Sequence, residues 1–259
     1  MYNYVISLTS ADQRREHIKQ EFAKKEVDFQ FFDAITPVAA LSLAKEMHLN
    51  YSEMYLTQSE LACFMSHVSL WKKIVDENIP YMAIFEDDIY LGENAQKLLN
   101  HSDWIQTDWH IIKLEAFAER TFLSSNYVSI ADGTRKVYQL LGQNYGTAGY
   151  ILSLVGAKVL LAQIKDAIHL PLDHFMFEKL VLQRSFAIHQ VNPTLCIQDM
   201  MLYHRKEQSK SSLPSMLVES RGDRMSRAKK TGLQKIKQEL QRICMQLKMF
   251  LFSQKIYFK

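Results

Sequence analysis

A chain of 259 residues is long enough for one α/β domain with an appendage, or for two small domains, and can bury a core without staples. Hydrophobic content of 47% and charged content of 23% are close to the globular average, which excludes disorder or a membrane-embedded chain as a whole. The formal net charge of +3 hides an asymmetry: residues 221–259 carry eleven basic and two acidic side chains, so residues 1–220 are net acidic.

Tyr4 to Leu8 is a β-branched apolar run that predicts a strand. The next residues predict a helix capped by Thr9 or Ser10, with Ile18 and Phe22 four residues apart on one face. Arg14 and Arg15 fall in its first turns, a position that suits a diphosphate and equally suits solvated surface. Asp28 to Ile35 reads as a second strand ended by Pro37, followed by short and long helices at Ala39 to Met47 and Ser59 to Glu77. His67 on the longer helix reads as a packing residue. Trp109 to Leu114, ending at Glu115, is another strand, and residues 116–134 read as loop or lid from their serines, Asn126, Asp132 and Gly133. Val137 to Leu141 is a further strand, and Gly146 and Gly149 interrupt an apolar run where a bulge, another backbone or a ligand comes close. A helix from Leu154 to Ala167, the segment Pro171 to His174, and two strands at Phe186 to Val191 and Thr194 to Gln198 follow. This alternation predicts an α/β sandwich with a largely parallel sheet and ligands at the strand C-terminal ends.

The stretch Tyr81 to Leu91 (YMAIFEDDIYL) organises the rest. A buried-strand pattern from Met82 to Phe85 runs into Glu86, Asp87 and Asp88, and strand alternation puts Glu86 and Asp88 on one side. Two carboxylates so close raise each other's pKa unless a cation compensates, and Mg²⁺ or Mn²⁺ with oxygen ligands would do so. The competing reading is a cap for a short helix at Asn94 to Leu99, started by Glu93 or Asn94. Cys63, Cys196 and Cys244 are too far apart for a metal-ligand spacing and read as reduced thiols. With no basic leader and no apolar stretch of roughly 18 residues, the expected location is the cytoplasm.

The motifs YVISL with Arg14 and Arg15, FFDAI, SELACFMSH ahead of IFEDD, GTAGYILS and PLDHFMF occur here in an order that resembles family 25 glycosyltransferases. That family includes bacterial lipooligosaccharide β-galactosyltransferases, and the resemblance covers about residues 3 to 200. It implies a GT-A-like α/β/α fold, a UDP-sugar donor, Mn²⁺ or Mg²⁺, and inversion at the anomeric carbon. Implied donor-binding residues are Ser7, Arg14, Arg15, Glu86, Asp87, Asp88, Gly146 and Thr147. The metal ligands would be Glu86 and Asp88, with His204 as nitrogen ligand and His189 and His174 as rivals. Asp173 is the implied general base, with a helix N-cap as its other reading, and Glu115 is the runner-up. Ser59 and Ala62 stand where the family usually has glycines, which argues against close backbone approach there. A metal-dependent phosphohydrolase and a catalytically silent nucleotide-sugar-binding protein are the alternatives. Nucleic acid is not an expected partner, because no binding motif accompanies the basic residues.

Residues 1–214 read as the catalytic domain and 215–259 as a basic tail. Leu233, Ile236, Leu240, Ile243, Leu247 and Phe250 form one apolar stripe on a helix. Such a helix packs on the domain, pairs with another copy, or lies on an anionic membrane beside a lipid-linked oligosaccharide acceptor.

Overall fold

The computed structural model describes residues 1–166, 168–184, 186–205 and 247–259. β1 (Tyr2–Ser7) is buried except at Tyr2, and Ile18 and Phe22 of α1 (Asp12–Lys24) cover one of its faces. Neither Thr9 nor Ser10 caps that helix. Ala11 stands at the N-cap, and the bond from its N–H to the Leu8 carbonyl (3.0 Å) turns the chain into it. After β2 (Gln30–Asp33), the Thr36 hydroxyl caps α2 (Pro37–Glu46) at the Ala39 N–H. Pro37 takes the first helical position, where a missing N–H is harmless, so it opens a helix as well as closing a strand. α3 (Gln58–Asp76) starts from a reciprocal capping box between Thr57 and Glu60.

The acids lie between β3 (Tyr81–Glu86) and β4 (Ile89–Leu91). α4 (Gln96–Leu99) is a single turn with no side-chain cap, so neither Glu93 nor Asn94 has the capping role open to it in the sequence. β5 (Ile111–Lys113) and the short β6 (Arg120–Thr121) follow. The expected loop at residues 116–134 is mostly a β-hairpin. β7 (Leu123–Ile130) pairs antiparallel with β8 (Arg135–Leu140) through a turn in which Ala131, Asp132 and Gly133 have positive φ. β7 is the last strand of its sheet, and its middle residues Ser125 to Tyr127 are exposed. Their polarity comes from solvent on an edge strand, which composition alone does not distinguish from a loop.

β9 (Gly149–Ser153) leads into α5 (Leu154–Gln163). α6 (Leu172–His174) passes through a π-helical stretch, Phe175–Lys179, into α7 (Leu180–Gln183). β10 (Ile188–Asn192), β11 (Cys196–Gln198) and α8 (Asp199–Arg205) follow, and β12 (Gln254–Lys255) lies near the end.

The main sheet has eight strands in the order β2-β1-β3-β9-β5-β10-β8-β7. Three pairings are parallel, β2 with β1, β1 with β3 and β5 with β10; the other four are antiparallel. The sheet is therefore mixed, a correction to the largely parallel sheet expected. The cause is the segment 141–148, which climbs back to the C-terminal end of β3, so that β9 runs down between β3 and β5. Asn144 pins this climb, its N–H donating to the Phe177 carbonyl (3.1 Å) and its side chain to Gln190 Oε1 (2.7 Å).

Alternate side chains of β1 and β3 serve two cores. Tyr4, Ile6, Met82 and Ile84 join α2, α3 and α5 on one face, while Val5, Ala83 and Phe85 meet α1 and α4 on the other. The result is the helix-sheet-helix sandwich expected. Ile256 is buried, and β12 pairs antiparallel with β6, so the last described residues pack on the domain. The boundary at residue 214/215, the stripe from Leu233 to Ile243 and Cys244 lie outside the described residues. Cys63, half-buried, and Cys196, buried, are both reduced cysteines.

Candidate active site

Strand alternation carries into the acidic turn. Asp87 points toward β1 and α1, where it accepts from the Ser7 hydroxyl (2.7 Å) and from Arg14 (2.6 Å). Glu86 and Asp88 share the other side, bridged by Gln198 Nε2 at 3.3 Å from an oxygen of each. Asp88 is only 8% exposed, and its pKa is pushed up to about 7, first by burial and then by Glu86, against the pull of Arg14. Arg14 stays charged, its pKa raised by Asp87, Asp88 and Glu86 in spite of its burial. Two carboxylates this close, one of them with a raised pKa, form a pair that a bound cation would stabilise in its charged form. The two carboxylates offer oxygen ligands, which suit Mg²⁺ or Mn²⁺.

The second side of the site comes from the climb at 141–148. Gly146 has φ of +87°, and a Cβ there would lie 2.4 Å from Glu115 Oε1. Its N–H donates to Asp173 Oδ2 (3.4 Å), and the next residue, Thr147, donates its hydroxyl to Glu86 Oε1 (2.8 Å). Asp173 is 7% exposed, and its Oδ1 accepts from the His174 N–H (3.0 Å). Pro171, not Asp173, occupies the N-cap of α6. A continuous chain of bonds therefore runs from Asp173 through Gly146 and Thr147 to Glu86, and Gln198 extends it to Asp88.

The remaining predicted residues divide. Ser7 and Arg14 hold Asp87 in place. Arg15 turns away from the acids: it donates to the carbonyls of Ser7 and Leu8 (both 3.0 Å), pairs with Asp33 and stacks over Phe31, bracing β1 against β2. Glu115 is fully buried, accepting from Lys113 Nζ (2.9 Å) and the Ala148 N–H (3.0 Å), and burial raises its pKa. Without exposed surface, it lies directly against the Gly146 turn. His189 packs on Trp109 with its pKa lowered to about 4 by burial, and His174 bonds to Glu178 (2.9 Å). His204 lies on α8, but its side chain is outside the described residues. Sequence reading missed Gln198, which carried no signal, and the position of His67, whose place in CFMSH ahead of IFEDD was the available one. His67 Nε2 faces Glu86 Oε1 at 3.8 Å.

Residues 1–176 match the model of glycosyltransferase family 25 (LPS biosynthesis protein). The chain belongs to this family. It is 41% identical over 209 residues to the lipooligosaccharide biosynthesis protein lic2B of Haemophilus influenzae, covering 78% of this chain and 77% of that protein. It is 36% identical over 231 residues to the lacto-N-neotetraose biosynthesis glycosyltransferase LgtB of Neisseria meningitidis serogroup B, covering 85% and 82%. Among solved structures, mouse xyloside xylosyltransferase 1 aligns with a TM-score of 0.41 and 13% identity, over 73% of this chain and 71% of that one. The chain is thus a family 25 glycosyltransferase with the helix-sheet-helix sandwich that its motifs implied. An enzyme of this kind binds a sugar donor and an oligosaccharide acceptor.

Proposed function

We propose that this family 25 enzyme moves a sugar, galactose first among candidates, from a UDP-sugar to a saccharide acceptor of lipooligosaccharide, with inversion. The observation that carries this reading is the bonded chain from Asp173 to Glu86, which sets one carboxylate beside a paired-acid site. Glu86 and Asp88 would hold Mn²⁺ or Mg²⁺, which when bound neutralises the diphosphate as it leaves. Arg14, half-buried against Asp87, adds a fixed positive charge on the donor side. Inversion requires the acceptor hydroxyl to attack opposite the UDP and to lose its proton to a base. Asp173 would take that proton at the oxygen that Gly146 now bonds, while the His174 N–H fixes the other oxygen. Gly146 lacks a Cβ, which lets this turn close over the buried Glu115 carboxylate.

The test is UDP release from a panel of UDP-sugars with Mn²⁺, offered lactose, glucose and N-acetylglucosamine. Acceptor-stimulated release from UDP-galactose supports the reading. Stimulated release from another donor replaces galactose, and no release with any acceptor removes the assignment.

The cytoplasmic face of an anionic membrane is the proposed location. Eleven basic residues in 221–259 support it, each contributing roughly 1 kcal/mol near such a surface. Leu247, Phe250, Leu251 and Phe252 add to this support, being between 58% and 80% exposed. No helix among the described residues is long and apolar enough to cross a bilayer.

A further inference from the structure

His67 is fully buried, yet among the described residues its Nε2 has no hydrogen-bond partner. The ring is fixed from its other side. Nδ1 lies 2.8 Å from the Tyr150 hydroxyl, which accepts from Trp71 Nε1 at 2.9 Å, and the imidazole stacks on the Tyr150 ring. Nε2 is thereby aimed at Glu86 Oε1, 3.8 Å away and too far for a hydrogen bond. One helical turn earlier, Cys63 presents its sulfur on the same face of α3, since positions four apart lie one above the other. A ligand atom from each of Cys63, His67 and Glu86 lies within 4.8 Å of the other two.

These donors differ from the oxygen pair of Glu86 and Asp88. Sulfur, imidazole nitrogen and one carboxylate oxygen suit a borderline ion, and Zn²⁺ takes all three in tetrahedral sites, with water in an open fourth position. Mg²⁺ and Mn²⁺ prefer oxygen and gain little from a thiolate. With the ring proton on Nδ1, that N–H donates to the Tyr150 oxygen, the outer-shell bond that orients a metal-bound imidazole.

We propose that Cys63, His67 and Glu86 form a zinc site, and that zinc bound there withdraws Glu86 from the donor's cation and stops transfer. The site stands on its own geometry; its effect on transfer rests on the function proposed above. On binding, the Cys63 thiol gives its proton to solvent and becomes the thiolate ligand, Glu86 enters as the carboxylate, and nothing is oxidised or reduced.

Co²⁺ is the first probe, titrated into full-length, metal-free protein kept reduced with a phosphine. A near-ultraviolet thiolate-to-cobalt band, saturating at one ion per chain and discharged by Zn²⁺, is the expected result. It should vanish in Cys63→Ser, a change at a half-exposed position that circular dichroism can confirm as folded. Zn²⁺ affinity, measured by competition with a chromogenic chelator, should fall about tenfold or more in the same variant. No band in the wild type overturns the site, as does a band or zinc affinity unchanged in Cys63→Ser, which would place the ligand at another cysteine. With Mn²⁺ supplied, added Zn²⁺ should suppress transfer by the wild type but not by Cys63→Ser, each normalised to its own zinc-free rate. A cobalt band without zinc inhibition overturns the coupling to transfer. A cobalt band in a protein that releases no UDP from any donor supports the site and refutes the proposed function instead.

Discussion

Replacing Gly146 by alanine tests whether the turn at the head of β9 is what assembles the site. At φ of +87° an L-residue meets a steric cost of about 1–2 kcal/mol. The new Cβ would also lie 2.4, 2.6 and 2.8 Å from the three carboxyl atoms of Glu115, well inside contact distance. Glu115 is a flexible side chain, but it is fully buried and held by Lys113 and the Ala148 N–H, so swinging away breaks a buried pair. Such a break costs about 3–5 kcal/mol, more than the about 1–3 kcal/mol of an overpacked contact, so the backbone should yield instead. The expected sum is about 2–5 kcal/mol of lost stability. Urea unfolding should show a lower midpoint with an unchanged slope. Because the same turn bonds Asp173 and carries Thr147, transfer should fall further than the unfolded fraction explains. A variant within about 0.5 kcal/mol of wild type, the range of an indifferent surface change, would refute this reasoning.

Asp88→Asn should abolish Mn²⁺-dependent UDP binding in calorimetry; unchanged affinity would remove Asp88 from the cation site. The folded Asp88 pKa of about 7 exceeds the ordinary 3.8, so the folded chain keeps a proton that the unfolded chain releases. Stability of the metal-free protein should then fall as pH rises between those values, by about 4 kcal/mol in order of magnitude, and Asp88→Asn should flatten that slope. Parallel slopes in the two proteins would show that burial of Asp88 has no such effect. Asp173→Asn should lower kcat by about 10² to 10⁴ while UDP binding persists, and a kcat near wild type would send the base role elsewhere. Because β12 and Ile256 pack on the domain, the tail is better tested by neutralising the basic residues between Arg224 and Arg242 than by deletion. Co-sedimentation with anionic vesicles should drop while transfer to a soluble acceptor continues; equal sedimentation at physiological salt would exclude membrane docking.

What the sequence determined here is local. The apolar run of β1, the periodicity of α3 and the acids closing β3 are set by residues a few positions apart, so their patterns show in one dimension. Alternation alone separated Asp87 from Glu86 and Asp88, and the ordered motifs pointed to the family. The tertiary structure decided everything that joins distant segments. It made an edge hairpin of residues 123–140, whose solvent-facing polarity resembles a loop, and it turned Arg15 into a brace for β1 and β2. It also brought Asp173 to Gly146, Gln198 to Asp88, and His67 to Glu86 across separations of 27, 110 and 19 positions. The antiparallel descent of β9 makes the first of these meetings possible, because it carries the preceding turn to the top of β3. Which strands lie side by side is a property of how the whole sheet buries its two faces, and no short stretch of chain contains that information.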